Sequence, residues 1–121
     1  MVPVVIATAR LRLRPPSLDD AEEIFASYAS DPIVTRYVRW RPHTSARETH
    51  TYRIRTLAAM EARTEVQWVI ERLGVELPIG MIGFRFAGHA AELGYVIARD
   101  CWRQGFATEA ARPLSVGTTK G

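Results

Sequence analysis

The stretch from Glu92 to Arg112 constrains this chain more than any other. Its first part, Glu92 to Ala98, carries Leu93, Tyr95, Val96 and Ile97, β-formers bounded by polar residues, and reads as a strand. Arg99 to Gly105 is charged, closes on glycine and reads as a turn. From Phe106 the run Ala-Thr-Glu-Ala-Ala is rich in helix formers, with a carboxylate in its first turns, and predicts a helix. A glycine turn feeding a helix start leaves several backbone N–H groups without an acceptor inside the helix. With the positive end of the helix dipole, those donors favour a bound anion, typically a phosphate.

The rest of the chain supplies a small sheet and its cover. Arg10 to Arg14 alternates polar and apolar residues, as a half-buried strand does, and Pro15-Pro16 stops it. Ser17 or Asp19 is placed to cap a helix running to about Tyr28, whose apolar face holds Ile24, Phe25 and Tyr28. Asp31-Pro32 marks a break. Ile33 to Thr44 reads as a short helix or turn, then a loop ending at Pro42. Ser45, with Glu48 at capping-box spacing, opens a longer helix over roughly Ala46 to Arg63, with Tyr52, Leu57 and Met60 on its buried side. Val66 to Glu71, Ile79 to Ala87 and Ala91 to Ala98 read as three strands with short links at Gly74 and Gly88-His89, which implies an antiparallel meander. Pro113 falls about two turns into the last helix and predicts its kink or end. The small, polar residues beyond it predict an irregular or disordered tail over 113–121.

Composition narrows the function classes. A chain of 121 residues has room for one domain. The net charge of +3 comes almost wholly from scattered arginines, Lys120 being the only lysine, so a nucleic-acid partner is not expected. His43, His50 and His89 lie far apart, Cys101 has no partner at ligand spacing, and no metal site is expected. No run reaches the length of a membrane span, and the N-terminus lacks the basic segment of a signal peptide. With a single cysteine, a reducing cytoplasm is the simpler location.

Glu92-Leu-Gly-Tyr followed by Trp102-Arg-Gln-Gly-Phe-Ala-Thr-Glu-Ala-Ala resembles the acetyl-CoA-binding core of the GNAT acetyltransferases. It is most similar to the branch that includes enzymes acetylating ribosomal-protein N-termini. Gly105 and Ala107 match the last two positions of the family signature, while Trp102 stands where the general pattern has Gln or Arg. The Arg10–Arg14 opening with Asp19-Asp20-Ala-Glu, and the Ile79-Gly-Met-Ile-Gly-Phe strand, resemble the same branch. The resemblance runs from about Ala9 to Arg112 and implies an α+β fold, a mixed but mostly antiparallel sheet flanked by helices. It also implies that residues 1–112 form a partial domain lacking the C-terminal half of that sheet, which usually carries the acid that protonates the leaving thiolate.

By the same resemblance, acetyl-CoA is the cosubstrate and a primary amine the acceptor, either a protein or peptide N-terminus or a small molecule. Backbone N–H groups of Arg103, Gln104, Gly105, Phe106, Ala107 and Thr108 would hold the pyrophosphate, and the strand edge at Tyr95, Val96 and Ile97 the pantetheine arm. Glu92 is the candidate general base, expected half-buried among apolar neighbours, and Tyr95 is expected in the core. Trp40 and His43 fall in the region that usually lines the acceptor side. Glu109 reads as a helix-dipole partner and Cys101 as incidental. The competing reading is a truncated, inactive fragment that at most binds CoA or forms a homodimer through its open sheet edge.

Overall fold

The computed structural model describes residues 4–36 and 40–119, with side chains for all of these except 115–119. Residues 37–39, read above with the short helix and loop, and Lys120 lie outside the described residues. Five strands form one antiparallel sheet in sequence order: β1 (Ile6–Ala7), β2 (Leu11–Arg14), β3 (Glu65–Arg72), β4 (Val75–Ala87) and β5 (Ala90–Ile97). The meander expected of the last three is therefore present, and β2 joins it with Leu13 opposite Ile70. The two-residue β1 carries no readable pattern and exists because β2 offers it a partner, Ile6 opposite Leu13.

Period-two alternation sorts the strand residues onto two faces. Leu11, Leu13, Trp68, Ile70, Ile82 and Ile97 pack on one face with Phe106, Ala110 and Leu114 of the last helix, α4 (Phe106–Thr119). Val69, Met81 and Val96 pack on the other with Ile24, Tyr28 and Val34. That second layer begins with a 3-10 turn (Leu18–Asp20), continues as α1 (Ala21–Ile24) and ends in a π-helical turn (Phe25–Ala29). Ser17 caps it, and Asp20 reaches back to the Ser17 N–H at 2.7 Å. Asp31 then caps α2 (Pro32–Thr35), accepting from the Ile33 N–H at 2.9 Å.

Two expectations need correction. The buried face of α3 (Ala46–Glu61) holds Thr49, Arg53, Thr56 and Met60, whereas Tyr52 and Leu57 are only half-buried. Met60 sets the phase, and Thr56, Arg53 and Thr49 precede it at helical spacing, so polar residues take core positions. Over the described residues 113–119 the irregular tail is also replaced, because α4 passes through Pro113 and runs to Thr119. Phe106, Ala110 and Leu114 recur every fourth residue and are all buried. Burying a Phe or Leu gains about 1.5–3 kcal/mol each, enough together to offset the roughly 3 kcal/mol that an interior proline costs.

An ion network joins the sheet to the second layer. The Arg14 guanidinium on β2 donates to both Asp20 carboxylate oxygens, at 3.1 and 2.7 Å, and through Nε to Glu71 on β3 at 2.9 Å. Glu71 is 3% exposed, and Arg12 approaches it from the other side at 3.6 Å. These contacts raise the Arg14 pKa, the Asp20 hydrogen bond most, so the guanidinium stays charged at any working pH. Arg14→Met strands two carboxylates that are nearly out of water. It should lower stability by about 3 kcal/mol, the low end for breaking a buried pair because the Arg14 side chain keeps some solvent contact. Urea unfolding of the variant against the parent checks this.

Candidate functional site

β5 is the last strand in the sheet order and pairs with β4 on one side only. A cleft of about 870 Å³ opens along it. The close approach of β4 is built in, because a Cβ on Gly80 would land on the Val96 carbonyl oxygen. Val96 and Ile97 are buried, but residues 90–95 are exposed since, among the described residues, no helix covers them. Glu92 is therefore exposed rather than half-buried, and Tyr95, 55% exposed, is not a core tyrosine. Glu92 lies opposite Arg85 in the β4–β5 ladder.

At one end of the cleft the chain leaves β5 through a 3-10 turn (Arg99–Cys101) and enters α4. Trp102 Nε1 donates to the Ile97 carbonyl at 2.7 Å, and Arg99 Nε meets Asp31 at 3.1 Å, so the turn is tied to the strand end and to the cap of α2. Arg103 and Gly105 both adopt left-handed backbone, φ +62° and +79°. A left-handed residue just before a helix start gathers backbone N–H groups into a concave anion site. Gly105 is the residue type that adopts this conformation without penalty, and Arg103 adopts it at a cost.

Glu109 is engaged structurally. Its carboxylate accepts from the Thr8 hydroxyl at 2.6 Å, the Arg10 N–H at 2.7 Å and Arg10 Nε at 2.6 Å. The Thr8 hydroxyl, then the Arg10 groups, hold the carboxyl below the ordinary range against a smaller opposing effect of burial. The clamp fixes the β1–β2 turn against the start of α4. Phe106 is buried beneath the Arg10 guanidinium, 4.4 Å from its ring centroid, so only its main chain is available to a ligand.

The other end is aromatic. Trp40 stacks on His43 with centroids 4.9 Å apart, and Tyr52 closes the group at 5.5 Å from His43. His43 is buried, its N–H donates to the Ala29 carbonyl at 2.8 Å, and Nδ1 shares a 2.7 Å hydrogen bond with the Thr49 hydroxyl. Burial lowers the His43 pKa, Arg53 adds to this, and Glu48 partly opposes it. The imidazole is thus neutral at pH 7.

Trp40, His43, Glu92, Tyr95, Val96, Ile97, Arg103, Gly105, Phe106, Ala107 and Thr108 all line this one cleft. Gln104 does not; its side-chain amide donates to the Asp100 carbonyl at 3.2 Å. Cys101 is buried, and that burial pushes its thiol up. Tyr28, Thr49 and Arg53 also line the cleft and were not expected there. The only sequence signal for Thr49 and Arg53 is their phase with Met60 on α3. Among the described residues, no group of three or more His, Cys, Asp or Glu is placed to hold a metal ion, and no helix is long and apolar enough to cross a membrane.

Two outcomes follow from this geometry. Gly105→Ala should cost about 1 kcal/mol, the penalty of a left-handed residue bearing a Cβ, measurable by urea unfolding. His43 is depressed in the folded state, so its contribution to stability is present above the unfolded value of 6.5 and is lost as pH falls through the lower folded value. His43→Gln should flatten that part of the stability–pH curve, read by thermal melts from pH 7.5 to 5.

The comparisons with known proteins agree with this architecture. Residues 10–115 match the model of the acetyltransferase (GNAT) domain family. The chain is 38% identical over 109 residues to the uncharacterized N-acetyltransferase YoaA of Bacillus subtilis (strain 168), covering 87% of this chain and 60% of that protein. The chain thus spans three-fifths of that relative's length. Its fold is also that of RimL, a ribosomal L7/L12 alpha-N-protein acetyltransferase in complex with coenzyme A, with a TM-score of 0.81, 16% identity, and coverage of 94% of this chain and 67% of that one. The microcin C7 self immunity acetyltransferase MccE, in complex with acetyl-CoA and AMP, superposes with a TM-score of 0.75 at 19% identity, over 88% of this chain and 61% of that one. A strand edge, a left-handed glycine turn and a helix start held in one cleft, on a chain matched over residues 10–115, mean that this chain belongs to the GNAT acetyltransferase family.

Proposed function

We propose that this chain transfers an acetyl group from acetyl-CoA to a primary amine. The observation that carries the reading is the single cleft joining the β5 edge, the Gly105 turn and the aromatic end around His43. The RimL and MccE complexes, with coenzyme A and acetyl-CoA on the same fold, support it.

The residues divide the work by position. The N–H groups of the turn and helix start, Arg103 to Thr108, hold the pyrophosphate. Gln104 contributes its main chain, its side chain being turned away to Asp100. The outer edge of β5, where the Tyr95 backbone and the Ile97 N–H face away from β4 on either side of Val96, receives the pantetheine amides as a sheet receives an added strand. An outward N–H of Tyr95 or Ile97 steadies the negative charge that develops on the thioester oxygen; the Val96 N–H is turned into the β4 ladder, in phase with the Ala98 N–H that donates to the Ile79 carbonyl at 2.7 Å. Acetyl-CoA supplies the activated acyl group. The amine nitrogen bonds to the thioester carbonyl carbon, the carbon–sulfur bond breaks, and the thiolate leaves, the nitrogen's second proton passing to it through water. Glu92, exposed at the cleft, takes the proton that the ammonium must lose. Trp40 and His43 line the acceptor's approach. Resemblance to the ribosomal-protein branch favours the α-amine of a protein or peptide. A second copy of the chain is the alternative occupant of the β5 edge.

Thermal melts of the 121-residue chain, at two protein concentrations with and without acetyl-CoA, test the reading. Ligand at about a hundred times its dissociation constant should add about 2.7 kcal/mol. A melt indifferent to acetyl-CoA would sink the enzyme reading, and a midpoint rising with protein concentration identifies a dimer. Glu92→Gln should slow acetyl transfer by about 10²- to 10⁴-fold while keeping the acetyl-CoA shift.

A further inference from the structure

Among the described residues, Arg53 is a buried charge with unsatisfied donors. It projects from α3 into the core and is 2% exposed. Its Nε and Nη1 are buried and have no hydrogen-bond partner. Its nearest aromatic contact is weak, the guanidinium carbon lying 5.9 Å from the Tyr52 ring centroid. Among the described residues it forms no ion pair, although Glu65 and Glu92 line the same cleft. A guanidinium cannot shed its charge at any working pH. An unpaired buried charge costs several kcal/mol, and a fold under no other demand would place an apolar residue here. Beside it the Tyr28 hydroxyl is also buried and without a partner, and it lines the same cleft. Burial keeps that phenol protonated and so a donor. Thr49, one turn before Arg53, is not free to answer it, since its hydroxyl is engaged with His43.

Several unmade donors thus converge on the aromatic end of the cleft, away from the turn that suits a pyrophosphate. We infer that Arg53 and Tyr28 form a carboxylate subsite, and that the acetylated amine belongs to a molecule carrying a carboxylate. This rests on the acceptor end assigned above. The carboxylate has two sources, the α-carboxylate of an amino acid or an acidic side chain near a peptide N-terminus. In either case a planar, two-oxygen anion matches the guanidinium fork.

Calorimetry on the CoA-saturated chain tests this without turnover, using acetylated product analogues. N-acetylglycine against N-acetylglycinamide probes the first source, and acetyl-Ser-Asp-amide against acetyl-Ser-Asn-amide the second. In one pair the acid should bind at least about tenfold more tightly than its neutral mate, the value of a hydrogen bond to a charged group. Arg53→Met should abolish that preference, Tyr28→Phe should reduce it, and Arg53→Lys should keep part of it. The acetyl-CoA melting shift should persist in all three variants. With no counter-ion to lose, Arg53→Met should also raise the melting point of the ligand-free chain. Equal binding of acid and amide in both pairs, including no measurable binding, overturns the inference, as does a preference that survives Arg53→Met. If Arg53→Met does not fold, an acid preference unchanged in Tyr28→Phe and Arg53→Lys overturns it. Failure of the acetyl-CoA shift in the parent chain would instead strike at the acetyltransfer reading, so the two failures are distinguishable.

Discussion

The contact between Arg14, Asp20 and Glu71 is the joint on which the rest of the architecture hangs. It fastens the first helical turn to two strands at once. That turn leads directly into α1 and the π-helical turn, which set Tyr28 and Ala29 against the sheet. Ala29 in turn accepts from the His43 N–H, and His43 locks to Thr49 on α3. A chain of short polar contacts therefore runs from the sheet, through the helical layer, to the aromatic end of the cleft. These contacts are wholly or largely shielded from water, so each is strong where it is satisfied and costly where it is broken.

Strand and cap positions were legible because they follow short-range rules. Alternation marked β2, glycines separated β3, β4 and β5, and Ser17 and Ser45 announced their helices, whereas Asp31, read as a break, caps α2. The ends of those elements depend on tertiary contacts that no local pattern shows. β1 exists only because β2 pairs with it, and α4 outlasts Pro113 because Leu114 has a place to be buried. Arg53 looks in sequence like any helix-surface arginine; only the phase shared with Met60 points it inward.

The same divide runs through the site. The turn at Gly105 was readable because a glycine before a helix start has few other uses, and Gly105 adopts left-handed backbone. Glu92 was placed on the correct strand, but its exposure was not readable, because exposure depends on what covers β5 and nothing in the strand encodes that. Glu109 sits in the first turn of α4 as a dipole partner should, and it also clamps a turn about a hundred residues away in sequence, a contact with no local signature.

The outer side of β5 has a consequence for handling the protein. Hydrogen-bonding groups that suit a pantetheine chain suit any extended peptide equally well. Leu93 and Tyr95 stand exposed on the strand, and Phe86 stands on its β4 neighbour, so the edge is sticky in side chain as well as backbone. A small molecule seated there would cover those groups and leave no open edge for another chain to pair with. Shelf life and the choice of purification buffer thus become matters of how full that groove is kept.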